Sequence, residues 1–237
     1  MKKLKMGMVG GGIGAFIGDV HRKAAAFDGK IELVCGVFSS NPEKSRKSAE
    51  QLGLPPDRSY ESFEKMIEKE SMLPKGERMD FISIVTPNHL HFPPAKMALE
   101  KGFHVMCDKP MTLTLEEAYD LVKLVKKTGK VFGLTHTYTG YPMVRQAKEM
   151  VKRGDLGEIR KVVVNYLQGW MSTQEYIDAN ESAWRSDPKK SGIGGSLGDV
   201  GTHAANMVEE ITGLRISEIA ADLTGFGKNR ILDDDGN

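Results

Sequence analysis

Apolar residues in the first half of the chain fall into short, nearly continuous runs separated by stretches with helical spacing. The runs Lys5–Val9, Ile31–Phe38, Phe81–Val85, His104–Cys107 and Val131–Thr135 predict strands, and Ile31–Phe38 carries β-branched residues. Between them the pattern predicts helices at 15–27, 42–52, 63–70 and 92–101, and one starting at Leu115. Two starts carry clear signals. Asn41-Pro42 is an N-cap followed by a first-turn proline. Thr114-Leu115-Glu116-Glu117 is a capping box, with Leu115, Ala118, Leu121, Val122 and Val125 following at helical intervals. Strand–helix alternation to about residue 135 predicts right-handed βαβ units and a parallel sheet. Strands without polar alternation imply helices on both faces of that sheet.

After Thr135 the rhythm changes. The pattern predicts a helix over Met143–Arg153, a long strand over Ile159–Gln168, irregular chain over 169–195, a helix over Leu197–Ile211 and a strand over Ile216–Phe226. The expected fold class is α/β: a doubly wound parallel sheet over 1–137, then an α+β open-sheet domain for substrate and oligomer contacts over 138–237, with the boundary near Tyr138. Asp233-Asp234-Asp235-Gly236-Asn237 is a turn that should lead into another strand. The second sheet therefore reads as truncated, and the chain as a fragment, a truncated product or a short form.

Composition narrows the partners. The 237 residues are 40% hydrophobic and 27% charged, the balance of a soluble globular protein. A net charge of +1, without long like-charge runs, argues against nucleic acid or an anionic membrane as the main partner. No apolar run approaches a membrane span, and the apolar stretch behind Met1-Lys2-Lys3 is too short for a signal peptide. Cys35 and Cys107 lie in apolar runs, as expected of buried free thiols in a reducing cytoplasm.

Candidate chemistry begins at the glycine cluster. Gly10-x-Gly12-x-x-Ala15 matches the G-x-G-x-x-G/A fingerprint between a strand and a helix, the setting of a Rossmann dinucleotide site. Gly10 allows a tight turn, Gly12 a close approach to a pyrophosphate, and Ala15 close helix–strand packing. Backbone N–H groups around Ile13 and Gly14 then meet the phosphates. A glycine turn without a ligand is the alternative, and the βα units that follow weigh against it. The second strand ends at Phe38-Ser39-Ser40-Asn41, with no acid to bind a ribose 2′-hydroxyl. Ser39, with Lys44 and Arg46 just beyond, suits a 2′-phosphate. The expected cofactor is NAD(P), with NADP favoured, although both cations equally suit solvated helix positions.

Two further stretches follow strand ends. Asn88 of Thr86-Pro87-Asn88 can offer an amide to a cofactor, and Asp108 can accept from a ribose hydroxyl. Lys109, extended before Pro110, can direct its ammonium into the cleft or lie on the surface. Asp199 and His203 are one turn apart on a helix kept slim by Gly198, Gly201, Ala204 and Ala205. A structural histidine at a domain interface is the competing reading. His136, Tyr138, Tyr141 and Trp170 fall where substrate loops belong, though His136 and Tyr138 also suit a strand end.

These motifs occur in a recognisable order. Gly10-x-Gly12, Thr86-Pro87-Asn88-x-x-His91, Asp108-Lys109-Pro110, Gly154-x-Leu156-Gly157-x-Ile159, Trp184-Arg185 and Gly195-x-x-x-Asp199-x-Gly201-x-His203 together resemble the Gfo/Idh/MocA family of glucose–fructose oxidoreductase and inositol dehydrogenase. Aspartate stands at 108 where that family more often has glutamate, and the carboxylate is kept. The resemblance implies an NAD(P)-dependent dehydrogenase or reductase acting on a CH–OH group of a sugar, inositol or other polyol, in a homo-oligomeric (dimeric or tetrameric) protein. It implies that Lys109, Asp199 and His203 line the active site. Gly10, Gly12, Ile13, Gly14, Ser39, Thr86, Pro87, Asn88, His91, Asp108, Trp184 and Arg185 are the candidate cofactor contacts, and Arg185 suits a loop anchor equally. His136, Tyr138 and Trp170 are the candidate substrate contacts. No metal is expected. A nucleotide-binding regulator without catalysis and a redox-assisted glycoside-cleaving enzyme are the alternatives.

Overall fold

The computed structural model describes residues 2–167, 169, 184–185, 187–192 and 194–225. The chain divides into two units, Met1–Thr135 and His136–Asn237.

The first unit is built on a five-stranded parallel sheet. Its strands are β1 (Leu4–Gly10), β2 (Ile31–Val37), β3 (Phe81–Val85), β4 (His104–Cys107) and β5 (Phe132–Leu134), in the order β2-β1-β3-β4-β5. β3 and β4 coincide with the runs read from the sequence. The chain steps outward from β1 to β2, then returns to the other side of β1 at β3. The ends of β1 and β3 therefore form the point where strand order reverses, which is where ligands bind in open α/β sheets. Gly10 pairs with Val85 there, and Ile84 with Cys107 on the next strand.

Alternation along β1 sends side chains to two separate cores. Met6 and Met8 join Phe38, Ala49 and Val85, against Ile17 and Ala25 of α1 (Phe16–Ala26) and beside α2 (Pro42–Gln51). Val9, Ile82, Ile84, Val105 and Cys107 face the other way. They meet α3 (Phe63–Met72), α4 (Phe92–Glu100) and α5 (Leu115–Thr128) through Ile67, Leu99 and Leu121. Local signals act as expected. Asn41 and Thr114 cap α2 and α5, the Thr114–Glu117 capping box closes in both directions, and Ser62, not read from the sequence, caps α3.

A buried polar clip locks one side of this unit. The Glu70 carboxylate, 0% exposed, accepts hydrogen bonds from Arg58 Nη2 (2.9 Å), the Met79 backbone N–H (2.9 Å) and the Tyr60 hydroxyl (2.8 Å). Three donors compensate the desolvation that an isolated buried carboxylate would suffer.

The second unit contains α6 (Pro142–Arg153), α7 (Pro188–Ser191) and α8 (Thr202–Thr212). α6 ends at Gly154 (φ +80°), the left-handed C-cap of the Gly154-x-Leu156-Gly157 motif. The predicted helix from Leu197 divides in two: Leu197–Gly201 winds as a π-type turn that continues into α8. Over the described residues the predicted strands at 159–168 and 216–226 are not seen. Residues 159–167 and 216–225 are neither helix nor strand, and Gln168 and Phe226 lie outside the described residues. The cause is the absence of a ladder: among the described residues of this unit no second segment pairs its N–H and C=O groups with theirs. Val163, Ile216 and Ile219 consequently stay exposed. No helix among the described residues is long and apolar enough to cross a membrane.

Candidate active site

The glycine turn is tighter and longer than its fingerprint suggests. Gly10, Gly11 and Gly14 take φ of +85°, +71° and +84°, values that only glycine adopts without strain. Gly12 donates its N–H to Phe38 O at 3.2 Å, and a Cβ there would lie 2.6 Å from that oxygen. The Ile13 N–H goes to Ser48 Oγ at 3.0 Å, and Ser48 donates to Lys44 O at 2.8 Å, so α2 buttresses the turn. Gly12 and Ile13 thus donate inside the protein. The first turn of α1 carries no side-chain cap, so its N–H groups can meet an anion.

The close helix–strand contact assigned to Ala15 is made by Gly18 instead. A Cβ on Gly18 would stand 2.3 Å from Gly11 Cα, whereas Ala15 is only the residue before α1. The motif spacing misled because the turn holds three extra residues before the contact glycine. The Gly14-Ala15-Phe16-Ile17-Gly18 sequence was the available signal.

The loops after β3 and β4 are tied together by His91. The ring is 1% exposed, with Nε2 2.9 Å from Thr86 O and Nδ1 2.7 Å from Pro110 O. A neutral imidazole can donate to only one of these carbonyls at a time. Both carbonyls favour the charged ring, but burial outweighs them and holds the pKa below the ordinary histidine value. His91 therefore lies beneath the loops that carry Asn88 and Lys109 and fixes their spacing. Pro87 precedes the 3₁₀ turn Asn88–Leu90, in which Asn88 is buried. Asp108 Oδ1 accepts from Thr135 Oγ1 at 2.5 Å and from the Lys109 N–H at 3.1 Å. The Lys109–Pro110 peptide is cis. Thr135 escaped the sequence reading, because it reaches Asp108 only through the pairing of β4 with β5.

His21 of α1 also escaped it. Its Nδ1 lies 3.0 Å from Ser83 Oγ on β3. Burial pushes its pKa down, and the nearby Asp108 charge only partly opposes this. At the tip of β2, Ser39 Oγ accepts from the Asn41 N–H at 3.2 Å, and Lys44 and Arg46 are exposed. The thiols of Cys35 and Cys107 are buried and unlinked, and burial raises both pKa values, which keeps them protonated and unreactive.

In the second unit, α8 holds His203 at 7% exposure inside a ring of aromatic side chains. Ring centroids lie 4.5 Å away for Tyr138, 5.4 Å for His136 in an edge-on contact, and 6.5 Å for Tyr166 in a nearly parallel one. The Tyr138 and Tyr166 hydroxyls share a 2.5 Å hydrogen bond. Tyr141 packs on Tyr138 at 5.9 Å. Tyr166 was missed because it sits in a mixed polar–apolar run whose only visible signal was strand propensity. Asp199, in the π-type turn, faces Arg185 Nε across 3.6 Å, and the Arg185 guanidinium stacks over Trp184 at 4.5 Å. Arg185 is thus engaged with Asp199 within its own unit. Trp170 lies outside the described residues.

A parallel sheet with a glycine turn at its strand-order reversal, an uncapped helix start beyond it and polar loops after the next two strands defines a dinucleotide-binding Rossmann unit. The pattern described as "Oxidoreductase family, NAD-binding Rossmann fold" (GFO_IDH_MocA) matches residues 4–136, and "GFO/IDH/MocA C-terminal domain" matches residues 144–237. The chain belongs to the Gfo/Idh/MocA oxidoreductase family. It is 34% identical over 233 residues to the uncharacterized oxidoreductase YfiI of Bacillus subtilis, covering 97% of this chain and 58% of that protein. It is 29% identical over 244 residues to levoglucosan dehydrogenase of Pseudarthrobacter phenanthrenivorans, covering 100% of this chain and 58% of that protein. The inositol dehydrogenase homolog of Azotobacter vinelandii complexed with NADH and myo-inositol superimposes with a TM-score of 0.82 at 36% identity, covering 90% of this chain and 53% of that one. The chain therefore spans little more than half the length of these relatives.

Proposed function

We propose that this chain carries the hydride-transfer site of an NAD(P)-dependent dehydrogenase or reductase acting on a CH–OH group of a sugar, inositol or other polyol. The observation that carries the proposal is Asp108-Lys109 at the C-terminal end of β4, on the sheet edge that also holds the glycine turn and Asn88. The glycine turn fits a dinucleotide, since Gly14 takes φ +84° and the start of α1 carries no side-chain cap, which leaves backbone N–H groups for a phosphate at the strand-order reversal. Gly14 and the α1 start would hold its phosphates, and Asn88 and Asp108 its nicotinamide half. The chemistry that a bound nicotinamide would supply here is that of a hydride acceptor for the carbinol carbon.

The protein manages the proton. His203 accepts the hydroxyl proton as the carbon is oxidised to a carbonyl. Lys109 donates a hydrogen bond to the same oxygen and stabilises its developing charge. Asp199, held by Arg185, accepts from a neighbouring substrate hydroxyl, and the His136, Tyr138 and Tyr166 rings offer further hydroxyl-matching groups beside His203. The names of the relatives support a sugar or polyol substrate. The acid-free tip of β2, with Ser39 beside exposed Lys44 and Arg46, supports NADP over NAD.

The test is turnover of inositols and sugars with each dinucleotide, followed by nicotinamide absorbance. Lys109→Ala and His203→Asn should each lower kcat about 10²–10³-fold with dinucleotide binding retained. Dinucleotide binding without turnover, unchanged by Lys109→Ala, would overturn the catalytic reading. Tighter binding of NAD than NADP would overturn the preference.

A further inference from the structure

The glycine turn contains a three-residue expansion that the dinucleotide fingerprint does not account for. The small residue that closes α1 onto β1 is Gly18, with five residues between it and Gly12 where the fingerprint leaves only two. Removing Ile13-Gly14-Ala15 would leave Gly10-Gly11-Gly12-Phe16-Ile17-Gly18, which is G-x-G-x-x-G spacing. The expansion is ordered: Ser48 pins the Ile13 N–H, and Ala15 N–H donates to Gly12 O at 3.0 Å. Its product is an aromatic side chain with no packing role in the unit. Phe16, the first residue of α1, is 82% exposed, while Ile17 and Ala25 of the same helix pack on the sheet.

Helical side chains lean toward the helix N-terminus. Phe16 therefore leans over the glycine turn, at the same helix start whose N–H groups would meet the phosphates. We propose that Phe16, lifted by the expanded turn, is a cofactor-retaining residue that packs on the bound dinucleotide and shields it from water. The proposal rests on the dinucleotide reading above. An exposed phenylalanine alone is unremarkable in a protein surface, and Phe27 supplies the comparison. It is 93% exposed just beyond the other end of α1, away from the strand-order reversal.

The experiment is titration of the whole chain with NADH and NADPH, read by nicotinamide fluorescence and by the shift in melting temperature. Phe16→Ala should weaken the preferred dinucleotide about threefold to tenfold, the range of an aromatic contact, with the unliganded melting temperature unchanged. Phe27→Ala should leave binding at the wild-type value. Wild-type affinity in Phe16→Ala would overturn the proposal, as would equal weakening by Phe27→Ala. A wild-type chain that binds neither dinucleotide would overturn the proposed function first, and this assignment with it. Unchanged affinity in Phe16→Ala beside a wild type that binds would overturn this assignment alone.

Discussion

The two units satisfy their backbones in different ways. In Met1–Thr135 every apolar run that reads as a strand finds a parallel neighbour, and the side chains of the sheet enter cores on both faces. In His136–Asn237 α6 forms as read and the helix expected from Leu197 divides into a π-type turn and α8, but 159–167 and 216–225 have strand-like sequences without a ladder among the described residues. Apolar patterning makes a segment competent to pair; only another segment's N–H and C=O groups make it a strand. The helix carries its own hydrogen bonds, so α6 and α8 appear without that help.

The sharpest break in this comparison comes from the buried clip of the first unit. Glu70→Ala strands Arg58, the Met79 N–H and the Tyr60 hydroxyl, and should cost about 3–5 kcal/mol. Both tryptophans, Trp170 and Trp184, belong to the second unit's span, so their fluorescence follows that unit in urea while far-UV circular dichroism follows the whole chain. The expected result is an earlier circular-dichroism transition with a smaller change in fluorescence. Coincident shifts of both signals would show that the two units unfold together and end the contrast.

A smaller effect, confined to the glycine turn, is expected from Gly18→Ala. The added methyl meets Gly11 Cα, so overpacking should cost about 1–3 kcal/mol and loosen dinucleotide binding. Ala15→Gly should change binding little. If Ala15→Gly proves the more damaging substitution, the contact glycine has been misassigned.

The smallest effect is on pH dependence. Burial holds the pKa of His91 and of His21 below the ordinary histidine value. The unfolded chain therefore takes up these protons first. The stability they contribute is complete above pH about 6.5 and is lost as pH falls below it. Melting temperature should decline between about pH 7 and pH 5, and His91→Asn should flatten part of the decline. A profile identical in wild type and variant would remove His91 from this account.

Legibility varied with the range of the interaction. Asn41 and Thr114 act within one turn of chain, so those caps and helix starts could be read from neighbours in sequence. β3 could be read from its composition because both its faces are covered, and β4 from its apolar run although Met106 on it stays exposed. The site was legible where chemistry follows a strand end, as at Asn88, Asp108 and Lys109. It was not legible where a partner comes from afar. Thr135 meets Asp108 through β5, Ser48 supports Ile13 from α2, and Tyr166 reaches His203 from a segment with no assigned element. Arg185 meets Asp199, which lies on a separate element.

The sequence by itself determined the alternation of strands and helices, the family and the residue types available for hydride-transfer chemistry, because each depends on local periodicity or ordered motifs. Tertiary structure decided which glycine closes the turn, what holds Asp108 and Asp199, and which segments become strands. Those outcomes depend on close approach and hydrogen bonding between residues distant in the chain, and spacing along one strand of sequence does not carry that information.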